Sequence, residues 1–220
     1  MSNFGLLLTM TEPPAGHEDE FNAWYDSEHI LERLSIPGFL SARRWQADVQ
    51  AGEGKYLATY ELISPDVLQT PEYLAHVGDG LSPWSRRMLG DCTVFRRWAC
   101  EQILPGDAQP HMLSHALFAA IGDVPVEWED EFNRWYDEEH IPTLSRVAGV
   151  LRARRFRDPR GSPRYVALYE LADGNVVDQS AWKAAAATEW ARRIDQLTRS
   201  REWILRLYRS YTPHSSLAAR

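Results

Sequence analysis

One segment of this chain, which combines tyrosine, carboxylates and histidine, occurs twice, and these side chains can exchange protons with a substrate. Residues 18–30 read EDEFNAWYDSEHI and residues 129–141 read EDEFNRWYDEEHI, so the second copy follows the first by 111 positions. A histidine with a carboxylate neighbour can accept or donate a proton near neutral pH. The segment therefore predicts two pseudo-equivalent sites for general acid or base chemistry.

Three side chains in each copy have complementary predicted roles in catalysis. The histidine transfers the proton, and the tyrosine hydroxyl orients the substrate or donates to a developing oxyanion. The aspartate, three residues before the histidine, holds the imidazole in one tautomer. The predicted catalytic residues are His29, Tyr25 and Asp26 in the first copy and His140, Tyr136 and Asp137 in the second.

A second group of residues is predicted to bind the substrate. On a helix with about 100° per residue, the repeated aromatic, glutamate and histidine positions fall within about 140° of arc. Positions 23 and 27, which differ between the copies, point to the opposite side. An arginine on the following strand could hold an acid group of the substrate. The predicted substrate-binding residues are Trp24, Glu28 and Arg43 in the first half and Trp135, Glu139 and Arg154 in the second.

The same residues could instead be structural. In that interpretation the carboxylates of Asp26 and Glu28 pair with an arginine of the following strand, and the imidazole of His29 satisfies a carbonyl. The strand arginines would then pair with glutamates on the adjacent strand, in the combinations Arg43 with Glu61 and Arg154 with Glu170.

The composition argues against several classes of partner. The 220 residues carry a formal net charge of -7, which lacks the basic excess of proteins that bind phosphate backbones. No apolar run approaches the roughly 18 residues needed to cross a bilayer, and no basic stretch precedes the first apolar run. Two cysteines without Cys-x-x-Cys spacing indicate reduced thiols. We therefore predict a cytoplasmic protein that binds a small molecule, with no nucleic acid or membrane as partner.

The motifs of the common cofactor sites do not occur. The sequence contains no glycine-rich phosphate loop, no dinucleotide fingerprint and no Gly-x-Ser-x-Gly, so no organic cofactor is predicted. Each copy has one histidine and lacks a second one four residues away, so no metal site is predicted. Aromatic residues make up 11% of the chain, and they could line a pocket for a flat apolar ligand or simply form an aromatic core.

Both halves repeat one order of elements. Gly38 and Gly149 follow the repeated helix, where glycine commonly ends a helix and turns the chain. Each half then reads strand, helix, strand, strand, helix, strand, which is the split β-α-β pattern of ferredoxin-like folds. We predict an α+β fold of two tandem ferredoxin-like βαββαβ domains, packed sheet to sheet as a pseudo-dimeric α/β barrel. The predicted segments are a first domain 1–105, a linker 106–112, a second domain 113–212 and a tail 213–220.

The repeated helix and the strand after it carry a family resemblance. The signature reads Phe-Asn-x-Trp-Tyr-Asp-x-Glu-His-Ile, followed in the first half by Pro37-Gly38-Phe39 and Ala42-Arg43-Arg44-Trp45. On these motifs nearly the whole chain resembles the dimeric α/β-barrel superfamily, in particular EthD-like and related stress-response barrel domains fused in tandem. The second half departs from the pattern at Ala148, where the first half has Pro37. The resemblance implies an isomerase, a lyase or a cofactor-free oxygenase, and it admits haem because some members bind haem.

We therefore predict an enzyme that acts on an aromatic or lactone-like metabolite by histidine-based acid–base chemistry without an organic cofactor. Its substrate would lie between each sheet and its helices. The alternative is a non-catalytic binding or stress-associated protein that sequesters a hydrophobic metabolite or haem. A third interpretation is a scaffold whose pockets are filled by aromatic side chains. Internal duplication makes a monomer self-sufficient, and a further homodimer is compatible with it.

Overall fold

The computed structural model describes residues 3–50 and 52–212, and it has a mixed α/β fold. The chain forms two compact units. The N-terminal unit comprises the chain up to Cys100 together with the residues from Ser210 onward, and the C-terminal unit comprises Glu101–Arg209. No helix in the described ranges is both long and apolar enough to cross a membrane.

The predicted domain boundary at residue 105 coincides with the end of a strand. That strand, β4, runs Val94–Leu104, and the two compact units divide within it, after Cys100. The predicted tail at 213–220 lies outside the described residues. The predicted packing of one sheet against the other stays a prediction.

The N-terminal unit has the order strand, helices, strand, strand, helices, strand. Its strands are β1 (Gly5–Glu12), β2 (Phe39–Gln46), β3 (Tyr56–Leu62) and the first part of β4 (Val94–Leu104). Its α-helices are α1 (Glu18–Trp24), α2 (Ile30–Ser35), α3 (Pro71–Leu74) and α4 (Pro83–Gly90). Short 3-10 turns occupy Pro65–Gln69 and Gly78–Gly80.

The C-terminal unit repeats this order. Its strands are β5 (Ala116–Gly122), β6 (Val150–Arg157), β7 (Tyr165–Leu171) and β8 (Trp203–Ser210). Its α-helices are α5 (Glu129–Trp135), α6 (Ile141–Leu144), α7 (Ser180–Ala186) and α8 (Glu189–Thr198). Short 3-10 turns occupy Val126–Trp128 and Gly174–Asp178. The order that the sequence predicts for each half is thus the observed one, with the second helical stretch divided into two short helices.

The strands pair antiparallel and in matching registers. In the N-terminal unit β3 lies between β1 and β2, and Arg44 of β2 faces Ala58 of β3. In the C-terminal unit β7 lies between β5 and β6, β5 also pairs with β8, and Arg155 of β6 faces Ala167 of β7. The second arginine of each Arg-Arg pair therefore occupies the same place in the two sheets.

The repeated segment is not a regular α-helix, as the sequence-based calculation of its face assumed. Tyr25–His29 and Tyr136–His140 each form one π-helical turn. The backbone N–H of Ile30 donates to the carbonyl of Tyr25, and that of Ile141 donates to the carbonyl of Tyr136, five residues back in each case. Such turns are frequent at functional sites.

Glycine ends the helical segment in both units, as the sequence predicts. Gly38 has φ of 96° and Gly149 has φ of 92°, a conformation that is costly for other residues. A Cβ at Gly38 would lie 2.6 Å from Val67 Cγ2, and one at Gly149 would lie 2.6 Å from Val176 Cγ2. Both the turn and the close approach of the next segment therefore require glycine.

Candidate functional site

Each unit contains a cavity between its sheet and its helices. The cavity of the N-terminal unit has a volume of about 610 Å³, and that of the C-terminal unit has about 470 Å³. Cavities of this size suit a small organic ligand. We call them the N-cavity and the C-cavity. The side chains that line the N-cavity include Thr9, Tyr25, His29, Arg33, Tyr60 and Arg97. Those that line the C-cavity include Trp135, Tyr136, His140, Tyr169, Trp182 and Asp195.

The histidine of each cavity is enclosed by three aromatic rings. The imidazole centroid of His29 lies 4.4 Å from that of Trp24, 5.1 Å from that of Tyr25 and 6.3 Å from that of Tyr60. The corresponding distances from His140 are 4.1 Å to Trp135, 5.2 Å to Tyr136 and 6.2 Å to Tyr169. In the described residues, Nδ1 of both histidines is buried and has no hydrogen-bond partner. The two units thus build one tyrosine–histidine–tyrosine set twice.

This burial overturns the expectation that the histidines titrate near neutral pH. Desolvation, with a smaller effect of the Arg33 and Arg44 cations, lowers the pKa of His29 to about 3. Desolvation, with a smaller effect of Arg155, lowers the pKa of His140 to about 3. Both imidazoles are therefore neutral at physiological pH, because a charged ring would be poorly solvated at these positions.

Three tyrosines of the two sets, Tyr60, Tyr136 and Tyr169, are held in their protonated form. Burial and the neighbouring Tyr25 raise the pKa of Tyr60 well above its usual value. Burial raises the pKa of Tyr136 to about 12, and burial with the nearby Tyr136 raises the pKa of Tyr169 well above its usual value. Hydroxyls in this state can donate hydrogen bonds to a negatively charged oxygen in the cavity.

The aspartates do not orient the histidines, contrary to the prediction from their spacing. Asp26 Oδ1 accepts from Arg44 Nη1 at 2.9 Å, and Asn22 Oδ1 accepts from Arg44 Nη2 at 2.6 Å. The guanidinium of Arg44 lies 4.3 Å from the ring centroid of Tyr25. Asp26 therefore belongs to a polar network beneath the tyrosine and makes no contact with His29.

The same network occurs in the C-terminal unit. Asp137 Oδ1 accepts from Arg155 Nη1 at 3.2 Å, Asn133 Oδ1 accepts from Arg155 Nη2 at 2.9 Å, and the guanidinium lies 4.0 Å from the ring centroid of Tyr136. The prediction for Asp137 is wrong for the same reason. Each aspartate, although it lies in the π-helical turn that contains the histidine, pairs with the buried arginine of the following strand.

The glutamates connect the repeated segment to the next long helix. Glu28 Oε1 accepts from Ser82 Oγ at 2.5 Å and from Ser85 Oγ at 3.1 Å. In the C-terminal unit, Glu139 Oε1 accepts from Thr188 Oγ1 at 2.6 Å. Neither glutamate lines its cavity, so the expectation that they bind substrate directly is not met.

Ser82 and Thr188 also define which positions of the two helices correspond. Ser85 and Ala191, three residues further on, donate their backbone N–H to the Ser82 and Thr188 hydroxyls. The helices α4 and α8 can therefore be compared residue by residue from these caps.

The first arginine of each Arg-Arg pair also lies away from the cavities. Arg154 Nη2 donates to Glu170 Oε1 at 2.6 Å, and both side chains are only 2% exposed. Arg43 stacks over the ring of Trp45 at 4.2 Å. Neither arginine lines a cavity, so their predicted substrate-binding role is not supported, and pairing with Glu170, the structural alternative for Arg154, is confirmed.

The tryptophans differ between the units. Trp135 lines the C-cavity, whereas Trp24 is fully buried behind His29 and does not line the N-cavity. Trp24 Nε1 donates to Ser85 Oγ at 3.0 Å. Trp24 thus supports the imidazole and does not meet a ligand.

Several cavity residues were missed by the reasoning from sequence. Tyr60 and Tyr169 recur at matching places in the repeated strand Tyr-x-Ala-x-Tyr-Glu-Leu, and that repeat could have revealed them. Arg33, Arg97 and Asp195 carry no repeated signal because the halves differ there. In the described residues no group of three or more histidine, cysteine, aspartate or glutamate side chains is placed to hold a metal ion.

The sequence matches no protein-family model and no curated protein. Solved structures do resemble almost the whole chain. A candidate monooxygenase from Lactobacillus acidophilus aligns with a TM-score of 0.62 at 9% identity, covering 96% of this chain and 95% of that chain. An anthrone oxidase-like protein has a TM-score of 0.61 at 12% identity, with coverages of 96% and 92%. A haem-binding protein from Thermus thermophilus has a TM-score of 0.56 at 10% identity, with coverages of 97% and 93%.

Identities this low show the fold alone. The chain therefore has the fold of these structures, and its assignment to the dimeric α/β-barrel superfamily stays a prediction that this likeness supports. The EthD-like assignment and the tandem ferredoxin-like layout stay predictions.

Proposed function

We propose that this chain is an enzyme that exchanges a proton with a small aromatic or lactone-like metabolite in each cavity, without an organic cofactor. One observation carries the proposal: two separate units each place a neutral histidine beside two tyrosine hydroxyls at the wall of a cavity. A core that only needed filling would not require the same polar set in both places.

The proton step follows from the protonation states of these groups. The imidazole of His29 or His140 accepts a proton from an O–H or an activated C–H of the substrate. The electron pair stays on the substrate as an oxyanion, which accepts hydrogen bonds from the tyrosine hydroxyls. A lone imidazolium is disfavoured at this depth, but the substrate anion is formed beside it and acts as its counter-ion.

The class of reaction is narrowed only by similarity of fold. Return of the proton to another carbon makes an isomerase, and departure of a leaving group from the anion makes a lyase. Attack of molecular oxygen on the anion makes a cofactor-free oxygenase. The fold that the chain shares with a candidate monooxygenase and an anthrone oxidase-like protein favours the third class by analogy.

The second candidate function is haem binding, which the similarity to a haem-binding protein suggests. A histidine that ligates a metal usually donates its other ring N–H to a carboxylate, a carbonyl or water. In the described residues, Nδ1 of His29 and of His140 is buried without a partner, and the nearest aspartates are paired with arginines. The histidines therefore fit an axial ligand poorly, and no step is assigned to haem.

The proposed assembly follows the same superfamily. We propose that the units are tandem ferredoxin-like domains of the EthD-like kind and that the chain is a cytoplasmic monomer with an internal pseudo-dimer. Size-exclusion chromatography with light scattering measures the assembly, and a stable dimer would contradict this part of the proposal.

A ligand screen followed by turnover tests the proposed function. Wild type, His29→Gln/His140→Gln and the control His17→Gln, whose ring is exposed, are screened by thermal shift with aromatic acids, lactones, quinols and haemin. Compounds that shift wild type are then assayed for conversion and oxygen uptake. We expect conversion to fall by at least about 10²-fold in the double variant and to persist in the control. Equal conversion by all three proteins would contradict the proposal, as would absorbance bands of ligated haemin that depend on His29 or His140.

A further inference from the structure

The described wall of the N-cavity carries a net positive charge, whereas that of the C-cavity does not. Three arginines line the N-cavity, namely Arg33, Arg86 and Arg97, and no carboxylate stands among the described residues of its wall. The C-cavity is lined by one carboxylate, Asp195, and one arginine, Arg199. The formal charges of the wall therefore cancel in the C-cavity but sum to a cationic site in the N-cavity.

Arg33 is the deepest of these cations. Its side chain is 4% exposed, and it lies four residues after His29, where the C-terminal unit has Leu144 four residues after His140. Its Nη2 donates to the carbonyl of His76 at 2.6 Å and lies 3.3 Å from the carboxylate of Glu32. Its Nη1 is buried and has no hydrogen-bond partner among the described residues. A buried guanidinium nitrogen in this state is costly unless an acceptor is supplied.

The other two arginines of the N-cavity, Arg86 and Arg97, are exposed and lie nearer the solvent side of the cavity. Arg97 Nη2 donates to the hydroxyl of Tyr73 at 3.1 Å, and Arg86 Nη2 donates to the carbonyl of Asp79 at 3.1 Å. These contacts fix the side chains, while each guanidinium has five N–H donors in all. Planar donors of this kind match the geometry of a carboxylate.

The positive charge of Arg33 affects the pKa of His29. The Arg33 cation contributes to the lowered pKa of His29, whereas the cation that contributes to the lowered pKa of His140 is Arg155, in the network beneath Tyr136. In the C-cavity, burial raises the pKa of Asp195. Asp195 stands seven residues after Thr188, and Leu89 stands seven residues after Ser82, so the two helices differ in charge at the same position of the wall.

We propose that the N-cavity binds an aromatic carboxylate and that the C-cavity binds an uncharged aromatic ligand. The aromatic and aliphatic walls take the ring in both cases, and the arginines of the N-cavity take the acid group. The inference rests on the proposed function only in using the same two cavities, because it concerns what is bound and not what is converted.

The test compares two probes of the same shape and different charge. Isothermal titration calorimetry measures binding of 2-naphthoate and of 2-naphthamide to the full chain. The variants are Arg86→Gln/Arg97→Leu, in which both exposed arginines are removed, and Arg192→Gln as the matched control. Arg192 occupies the position of Arg86 counted from the helix caps but does not line the C-cavity. Melting temperatures confirm that each variant is folded.

We expect wild type and Arg192→Gln to bind 2-naphthoate alike, and the double variant to bind it about tenfold or more weakly, because charge-assisted hydrogen bonds are lost. Raising the salt concentration should weaken 2-naphthoate binding and leave 2-naphthamide binding almost unchanged. The affinity for 2-naphthamide should be the same in all three proteins.

Three results would overturn the inference: no binding of 2-naphthoate by wild type at millimolar concentration, equal 2-naphthoate affinity in the double variant, or equal loss of both probes. A further variant, Arg33→Met, should lose 2-naphthoate binding more than 2-naphthamide binding if the deep arginine participates. The binding measurements are independent of turnover. Charge-selective binding without conversion of any compound would contradict the proposed enzyme function and support the anion site. Conversion without charge-selective binding would support the enzyme function and contradict the anion site.

Discussion

The N-cavity and the C-cavity share the groups that can exchange a proton and differ in the charges around them. Each presents a histidine between two tyrosines, and this histidine is buried in the N-cavity and half-buried in the C-cavity. Beyond that set, Arg33 stands where the other unit has Leu144, and Leu89 stands where the other has Asp195. The comparison separates two tasks. In the function that we propose, the groups that recur in both units exchange the proton, and the positions that differ between the units select the ligand.

The largest difference that we expect between the units concerns the first arginine of each Arg-Arg pair. Arg154 and Glu170 are both 2% exposed, whereas Arg43 is half-buried. Arg154→Met should lower the free energy of unfolding by about 3–5 kcal/mol, because a carboxylate is left buried without its partner. Arg43→Met should cost clearly less, since water can reach that position. Urea unfolding of both variants measures the difference.

The double variant Arg154→Met/Glu170→Gln serves as the control for this experiment. Removing the negative charge should recover a large part of the loss, because the cost comes from the unpaired charge and not from the missing contact. Equal losses in Arg43→Met and Arg154→Met would show that the two arginines contribute equally to stability and would contradict the difference expected between the units.

A second prediction concerns the dependence of stability on pH. The pKa of His29 and of His140 is about 3 in the folded chain, against a usual value of 6.5. As the pH falls below 6.5, the unfolded chain takes up these protons first, so stability present above 6.5 is lost on the way down to about 3. The two histidines together should remove about 3 kcal/mol between pH 6.5 and about pH 5.

Urea unfolding at several pH values checks this prediction with His29→Gln and His140→Gln. Each single variant should lose about half of the slope of wild type in this window. Carboxylates with lowered pKa values, Asp123 and Glu129, release their contribution at lower pH and do not interfere. An unchanged slope in one variant would show that its histidine is solvated, and the cavities would then differ in depth.

The smallest effect concerns the tryptophan behind each histidine. Trp24 Nε1 donates to Ser85 Oγ. Trp135 Nε1 is buried and has no partner in the described residues, and the C-terminal unit has Ala191 at the position that corresponds to Ser85. Ala191→Ser should raise the free energy of unfolding by about 0.5–1.5 kcal/mol, and Ser85→Ala should lower it by about 1–3 kcal/mol. Thermal unfolding of the two variants measures both changes, and a shared sign would contradict the account.

Much of the fold could be predicted because the two halves of the chain can be compared with each other. The repeat located both copies of the helical segment, and the glycines Gly38 and Gly149 located its end. The strand after each glycine begins at the next residue, Phe39 or Val150. These signals are local in sequence, since they depend on periodicity and on backbone conformations that only glycine adopts readily.

The site was predicted less well, for physical reasons that particular residues show. The spacing of Asp26 and His29 suggested a contact, but the π-helical turn and the buried Arg44 directed the aspartate elsewhere. Extra backbone residues in a helical turn leave no signature in a single sequence. The depressed pKa of His29 results from burial, to which Tyr60 of a distant strand contributes, and no local pattern in the sequence predicts that contact. Arg33 and Asp195 correspond to leucines in the other half, so a comparison of the two halves does not identify them.

The central claim is that two neutral histidines contact ligands in two separate cavities, and histidine-selective ¹⁵N NMR tests it most directly. His29→Gln and His140→Gln assign the two rings. The account predicts that both stay neutral down to about pH 4, that 2-naphthamide shifts the resonances of His140, and that 2-naphthoate shifts those of His29. Titration of either ring near pH 6.5, or saturation by both probes without a shift at either ring, would contradict it.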